Sequence, residues 1–163
     1  MKEDAVEGHP GWLWLPVLLS GLGILVSGYL SIKRFTGGAL ACARFAECDI
    51  VNNSVYAKIY GIPVAFIGLA GYAVLLGLAL AALQAQGIRR RRLLGAGFAL
   101  ALAGVGFSAY LTYLEIYVIQ AICIWCVISA VLITLLAVVG GLNLRRLAAR
   151  PLDPTPSPSS LRL

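Results

Sequence analysis

The amino-acid sequence predicts an all-α membrane protein, a four-transmembrane-helix bundle with a long loop containing a short surface helix between helices 1 and 2. Three observations carry this. The mean hydropathy is +0.89 with only 12% charged residues, which leaves too little polar surface to cover a water-soluble globule of 163 residues. Four apolar stretches, at 12–32, 62–83, 93–114 and 122–142, are each long enough as helix, at about 1.5 Å per residue, to cross a hydrocarbon core of roughly 30 Å. The basic residues gather beside the ends of these stretches instead of along one face.

Residues 1–11 form a short leading segment whose Lys2, Glu3, Asp4 and Glu7 lack the positive balance of a signal peptide, so the apolar stretch after them is expected to stay as a membrane helix. The loop 33–61 holds a Gly37-Gly38 break, the cysteines Cys42 and Cys48, and a polar stretch from Asp49 to Lys58 in which the short helix is expected. Gly61-Ile62-Pro63 reads as a turn into the second span, with proline in the first helical turn, where its missing N–H has no helical partner. Gly68 with Gly71, and Gly97 with Ala101, are small enough to let helix backbones approach. Gly104-Val105-Gly106-Phe107-Ser108-Ala109 matches a dinucleotide-binding fingerprint, but it lies inside an apolar helix and not at a strand-to-helix turn. The Pro- and Ser-rich residues within 143–163 have little to bury, so a disordered cytoplasmic tail follows the 12–142 membrane domain.

With four spans, both termini and the second loop share one side, which collects Lys2, Arg89 to Arg92, Arg145, Arg146, Arg150 and Arg162. The other side holds only Lys33, Arg34, Arg44 and Lys58, so the termini are expected in the cytoplasm and all four cysteines on the extracytoplasmic face. The same clustering explains the net charge of +6 without nucleic acid, since no extended basic face or reading module is present.

Cys123-Ile124-Trp125-Cys126 is a CxxC that opens an apolar helix, where the positive end of the helix dipole favours a thiolate. A second dithiol on the same face permits sequential disulfide exchange, which moves two electrons without a metal. Two static disulfides bracing a docking loop in a noncatalytic scaffold are the alternative for an oxidising compartment. Metal ligation would need the two pairs to converge, because the lone His9 precedes the first span on the opposite side; no metal is expected.

In Cys42-x5-Cys48 followed by Asp49, Asn52, Ser54, Tyr56 and Gly61-Ile62-Pro63, and in the later Cys123-Ile124-Trp125-Cys126, the sequence resembles the bacterial members of the vitamin K epoxide reductase family over roughly residues 12–142. The resemblance implies a thiol oxidoreductase of the bacterial inner membrane, with 33–61 as its redox loop. Electrons would come from an extracytoplasmic thioredoxin-fold protein of the DsbA kind and pass to a membrane quinone, ubiquinone or menaquinone, with quinone epoxide as a further substrate. Many bacterial relatives carry a thioredoxin-like domain after an extra helix. None is read here, so the partner is expected in trans. By resemblance, Cys48 is attacked by the partner thiolate, Cys42 attacks Cys123, and Cys126 reduces the quinone. Cys126 lies deeper in its helix and nearer the lipid, whereas Cys48 is expected in the wettable loop.

Ser54 matches the family's loop serine or threonine, which helps hold the redox loop, although a plain helix cap or turn hydroxyl would look the same. Trp125 and Tyr113 are candidates for the quinone pocket, set against simple anchoring at the membrane interface, and Tyr110 and Tyr117 invite the same comparison. Glu115 could move the protons that quinone reduction consumes, but a carboxylate at a helix end is ordinarily expected to face water.

Overall fold

In the computed structural model of the chain, residues 11–37, 48–59 and 61–149 are described. They form α1 (Gly11–Thr36), the short α2 (Cys48–Asn53), a 3-10 turn (Val55–Ala57), the two-residue strands β1 (Lys58–Ile59) and β2 (Ile62–Pro63), and then α3 (Val64–Gln84), α4 (Gly87–Tyr113) and α5 (Ile124–Ala148). A π-helical turn (Leu114–Ile119) continues α4 without a break. The four long helices are each long and apolar enough to cross a membrane, so the chain is a four-helix membrane bundle with a short helix between α1 and α3. Helices are the natural answer to lipid, because they satisfy every backbone N–H and C=O within the segment.

The helices close into a square in which α1 packs on α3 and α5, and α4 packs on the same two. Lipid offers no hydrophobic drive for this association, so small residues and close packing must supply it. On α1 the buried face is Pro16, Ser20, Gly23, Ser27, Leu30 and Ser31, nearly all small and spaced at three and four. Two of its serines turn inward to their own helix, Ser27 Oγ donating to the Gly23 carbonyl and Ser31 Oγ to that of Ser27, both at 2.7 Å. Tyr72 of α3 ties three helices together: its ring lies directly against Gly23 of α1, and its hydroxyl donates to the Ser129 carbonyl of α5 at 2.9 Å. The glycines expected to seat helix contacts differ in part from those that do. Gly71 and Gly97 face open space, while Gly23 meets Tyr72 and Gly104 meets Ile133. Ala101 does lie in the core, with Leu75, Leu132 and Leu136.

The helix ends also depart from the apolar stretches. The first runs to Thr36 and the last to Ala148, past Lys33 and past Arg145 and Arg146, because hydrogen bonding continues after hydropathy falls. Gly37, at φ +63°, ends α1 in the left-handed region that glycine adopts without strain. Pro63 is not in the first turn of its helix. It ends β2, paired with Lys58, and precedes α3 with an extended backbone; Gly61 at φ +83° makes the reversal between the strands. His9 and the expected tail beyond Ala149 lie outside the described residues.

Basic residues finish the end of the bundle away from the cysteines. Arg90 Nε donates to the carbonyls of Ala82 and Ala85 at 3.1 and 2.8 Å, capping α3. The Arg146 guanidinium lies over the Trp12 ring at 4.0 Å, and Asn143 donates to the Trp12 carbonyl, fastening the start of α1 to the end of α5. The Gly23 contact gives a direct test of the packing. Gly23→Ala should lower stability by about 1–3 kcal/mol, as overpacking does, when unfolding is followed in mixed detergent micelles. Gly97→Ala, which adds a methyl in open space, should leave stability unchanged.

Candidate active site

The site is built at the end of the bundle where α1 finishes and α5 begins. Cys123 is the residue before α5, with an extended backbone, and its carbonyl accepts the helix-opening bond from Val127 at 3.1 Å. Cys126 follows one turn later on the same side of the helix, a consequence of the i, i+3 spacing. Both are free thiols, and Cys123 is fully buried.

Cys48, the first residue of α2, is disulfide-bonded and 1% exposed. It shares one apolar cluster with Leu30, Val51, Ala121 and Cys123, against which Tyr29, Trp125 and Cys126 pack. This corrects the expectation that Cys48 sits in the wettable part of the loop. Cys48 and Val51 stand three residues apart, so a single turn of helix puts both on one face, and that face is laid on the end of the bundle. Cys42 lies outside the described residues.

Glu115 also departs from expectation. In place of water, the carboxylate has the start of α5 beside it and is 4% exposed. Its Oε2 accepts the Cys123 backbone N–H at 3.3 Å, and it shares a hydrogen bond with the Cys126 thiol. The π turn is what aims it there. The amides of Gln120, left-handed at φ 56°, and of Ala121 both return to the Glu115 carbonyl, so the end of the α4 segment wraps around this one residue.

A cavity of about 300 Å³ opens beside these groups, walled by Leu30, Val51, Tyr72, Leu111 and Ile133 among others, with Cys123, Cys126, Glu115, Ser129 and Ser54 on its surface. Ser54 precedes the 3-10 turn but makes no cap there; its hydroxyl donates back to the Val51 carbonyl at 2.8 Å, holding the end of α2. Neither Trp125 nor Tyr113 is among the described residues lining the cavity. Trp125 packs on the Tyr29 ring, centroids 4.8 Å apart. Tyr113 is exposed and stacks with Tyr117 at 5.0 Å. The pair Tyr72 and Ser129, hydroxyls 3.0 Å apart, lines the cavity and was not singled out from the sequence, where a tyrosine and a serine inside apolar runs give no signal.

The Cys123 thiol is held below the ordinary cysteine range, first by the hydrogen bond from the Cys126 side chain and further by the backbone amides of Cys126 and Trp125, against the opposing effects of burial and the Glu115 charge. A helix start does the same for other reactive cysteines. Cys126→Ala removes the strongest of these donors. With the Cys48 disulfide intact, the Cys123 thiolate, followed by its ultraviolet absorbance, should then form at higher pH than in the parent protein. An unchanged titration would mean that the helix start alone sets its acidity.

The profile of the vitamin K epoxide reductase family matches residues 14–140, a stretch that takes in all four cysteines, Ser54 and Glu115. A four-helix membrane bundle with a CxxC at the head of its last helix and a further buried cysteine beside it therefore belongs to the vitamin K epoxide reductase family, and with it to the membrane oxidoreductases that join thiol–disulfide chemistry to quinones.

Proposed function

We propose that this chain oxidises the dithiol of an extracytoplasmic thioredoxin-fold protein and delivers the electrons to a membrane quinone through its own two cysteine pairs. The observation that carries the reading is that Cys48 and Cys123 share one dry cluster while Cys126 opens onto the adjoining cavity. Sulfur, sulfur and acceptor site then follow one another in the order a relay needs.

The burial of Cys48 supports reversing the roles expected within the first pair. A sulfur that is 1% exposed is badly placed to meet another protein and well placed to meet Cys123. In the relay we propose, the partner thiolate attacks Cys42 and releases Cys48 as a thiolate. Cys48 attacks Cys123 in the oxidised CxxC, and Cys126 leaves as a thiolate. The partner's second thiolate closes the partner's own disulfide and releases Cys42, which displaces Cys123 from Cys48, restoring the first disulfide and leaving the CxxC reduced. Each exchange forms one S–S bond and breaks one, so two electrons advance at every stage.

The cavity suits a quinone ring. Its volume of about 300 Å³ reaches the lower bound of small-molecule sites, and such sites combine apolar walls with a few convergent polar groups. A bound quinone would supply a two-electron, two-proton acceptor. Cys126, Glu115 and the Tyr72–Ser129 pair are the polar groups that would face it, and the apolar walls would keep water from the thiolates. Re-forming the Cys123–Cys126 disulfide is the chain's own part in the final step. A static brace, by contrast, would need both pairs permanently oxidised and indifferent to quinone.

The arginines at the opposite end of the bundle support placing the cysteines on the extracytoplasmic side. Purified chain should reduce soluble ubiquinone or menaquinone analogues when given a reduced DsbA-like protein, with rates falling to background in Cys126→Ser and in Cys48→Ser. Quinone reduction that survives Cys126→Ser would refute the relay, and a chain whose cysteines ignore both partner and quinone would be a scaffold.

A further inference from the structure

Glu115 is a carboxylate in a place where a carboxylate is costly. It lies within a membrane-spanning segment and is 4% exposed, and among the described residues no lysine or arginine pairs with it. Ionisable groups so placed are rare in membrane helices, and they mark proton or substrate paths when they occur. Its hydrogen bond to the Cys123 amide does not by itself call for an acid, since a neutral amide oxygen would accept that N–H equally well. Its other partner is the Cys126 thiol, and both groups face the same cavity. An acid can do one thing for a thiol that a neutral acceptor cannot, which is to take its proton.

We propose that Glu115 is the proton carrier of the CxxC, taking the proton of the Cys126 thiol as that sulfur becomes a nucleophile and handing it to a quinone oxygen in the cavity. The inference rests on the reading of Cys126 as the quinone-reducing cysteine. Closing the Cys123–Cys126 disulfide releases two electrons, and both leave for the quinone. One of the two protons needed for quinol comes from Cys126 by way of Glu115. The second is the proton that Cys123 sheds as its sulfur enters the disulfide, and it reaches the quinone by way of water at the bundle end. Glu115 thus carries the Cys126 proton in the dithiol form and has given it up once the disulfide closes, so the two forms differ by one proton at its carboxyl. It touches a reacting atom and is a catalytic residue in that sense.

Glu115→Gln keeps an oxygen for the Cys123 amide and loses the ability to carry a proton. Quinone reduction should slow by about 100-fold or more, the usual worth of a general acid–base group, and Glu115→Asp should recover part of it. The second readout needs no quinone. The infrared difference spectrum between dithiol and disulfide forms should contain a carboxyl C=O band that disappears in Glu115→Gln and persists, shifted, in Glu115→Asp. A parent spectrum without that band, or a Glu115→Gln chain that reduces quinone at the parent rate, would overturn the proposal. So would equal slowing and equal loss of thermal stability in the Gln and Asp variants, because that pattern marks a purely structural residue. Cys126→Ser run alongside separates the two ideas: if it stays active, the relay itself is wrong, whatever Glu115 does.

Discussion

The structure depends on bringing a loop cysteine and a helix-start cysteine into one dry place at the edge of the membrane. Thiol exchange needs the attacking sulfur to reach its target along the S–S axis, and its rate follows the thiolate fraction of the attacker, the acidity of the leaving thiol and access to the sulfur attacked. Here Cys48 and Cys123 are buried in one cluster with Leu30 and Val51. Several otherwise unrelated features serve this junction. α2 is short and lies on the bundle end, β1 and β2 return the chain tightly to α3, and the π turn after α4 widens so that Glu115 reaches back to the start of α5. Tyr29 and Trp125 close the junction from the side of α1.

Packing in the middle of the bundle holds that end in register. A shift of α1 against α3 would move Tyr72 off Gly23 and break its hydrogen bond to Ser129, one turn beyond Cys126. The same tyrosine therefore fixes helix spacing and shapes the cavity wall. At the far end, Arg90 on α3 and Arg146 on Trp12 keep the helices from fraying. Among the described residues, charge is placed where water can reach it, with Glu115 as the exception, and that exception lies at the thiols.

Much of this was legible in the sequence. Four apolar stretches gave four helices, and a CxxC before the last stretch gave a helix that starts at the CxxC. The helix ends were less legible, because hydropathy stops at the first charge while hydrogen bonding runs on through Lys33 or Arg145. Direction around a helix was the harder problem. Hydropathy reports depth and not azimuth, so nothing in the run of tyrosines before Glu115 revealed that a π turn would swing this one residue inward and leave Tyr113 outward. Trp125, one residue before Cys126, is turned about 100° from it around the helix, which sends it to Tyr29 and off the cavity. Cys48 was misplaced for a related reason: averaged over the loop its surroundings are polar, but with Val51 it makes a one-turn apolar face.

The central claim, that the first cysteine pair exchanges with the second through Cys48 and Cys123, is most directly tested by trapping that bond. In a Cys42→Ser, Cys126→Ser double variant the two remaining sulfurs can only pair with each other or stay free. Mass spectrometry of the digested, mildly oxidised protein should find a peptide pair joined by a Cys48–Cys123 disulfide in most molecules. Free thiols at both positions, with a Cys42–Cys123 link forming readily in the Cys48→Ser, Cys126→Ser variant, would contradict it.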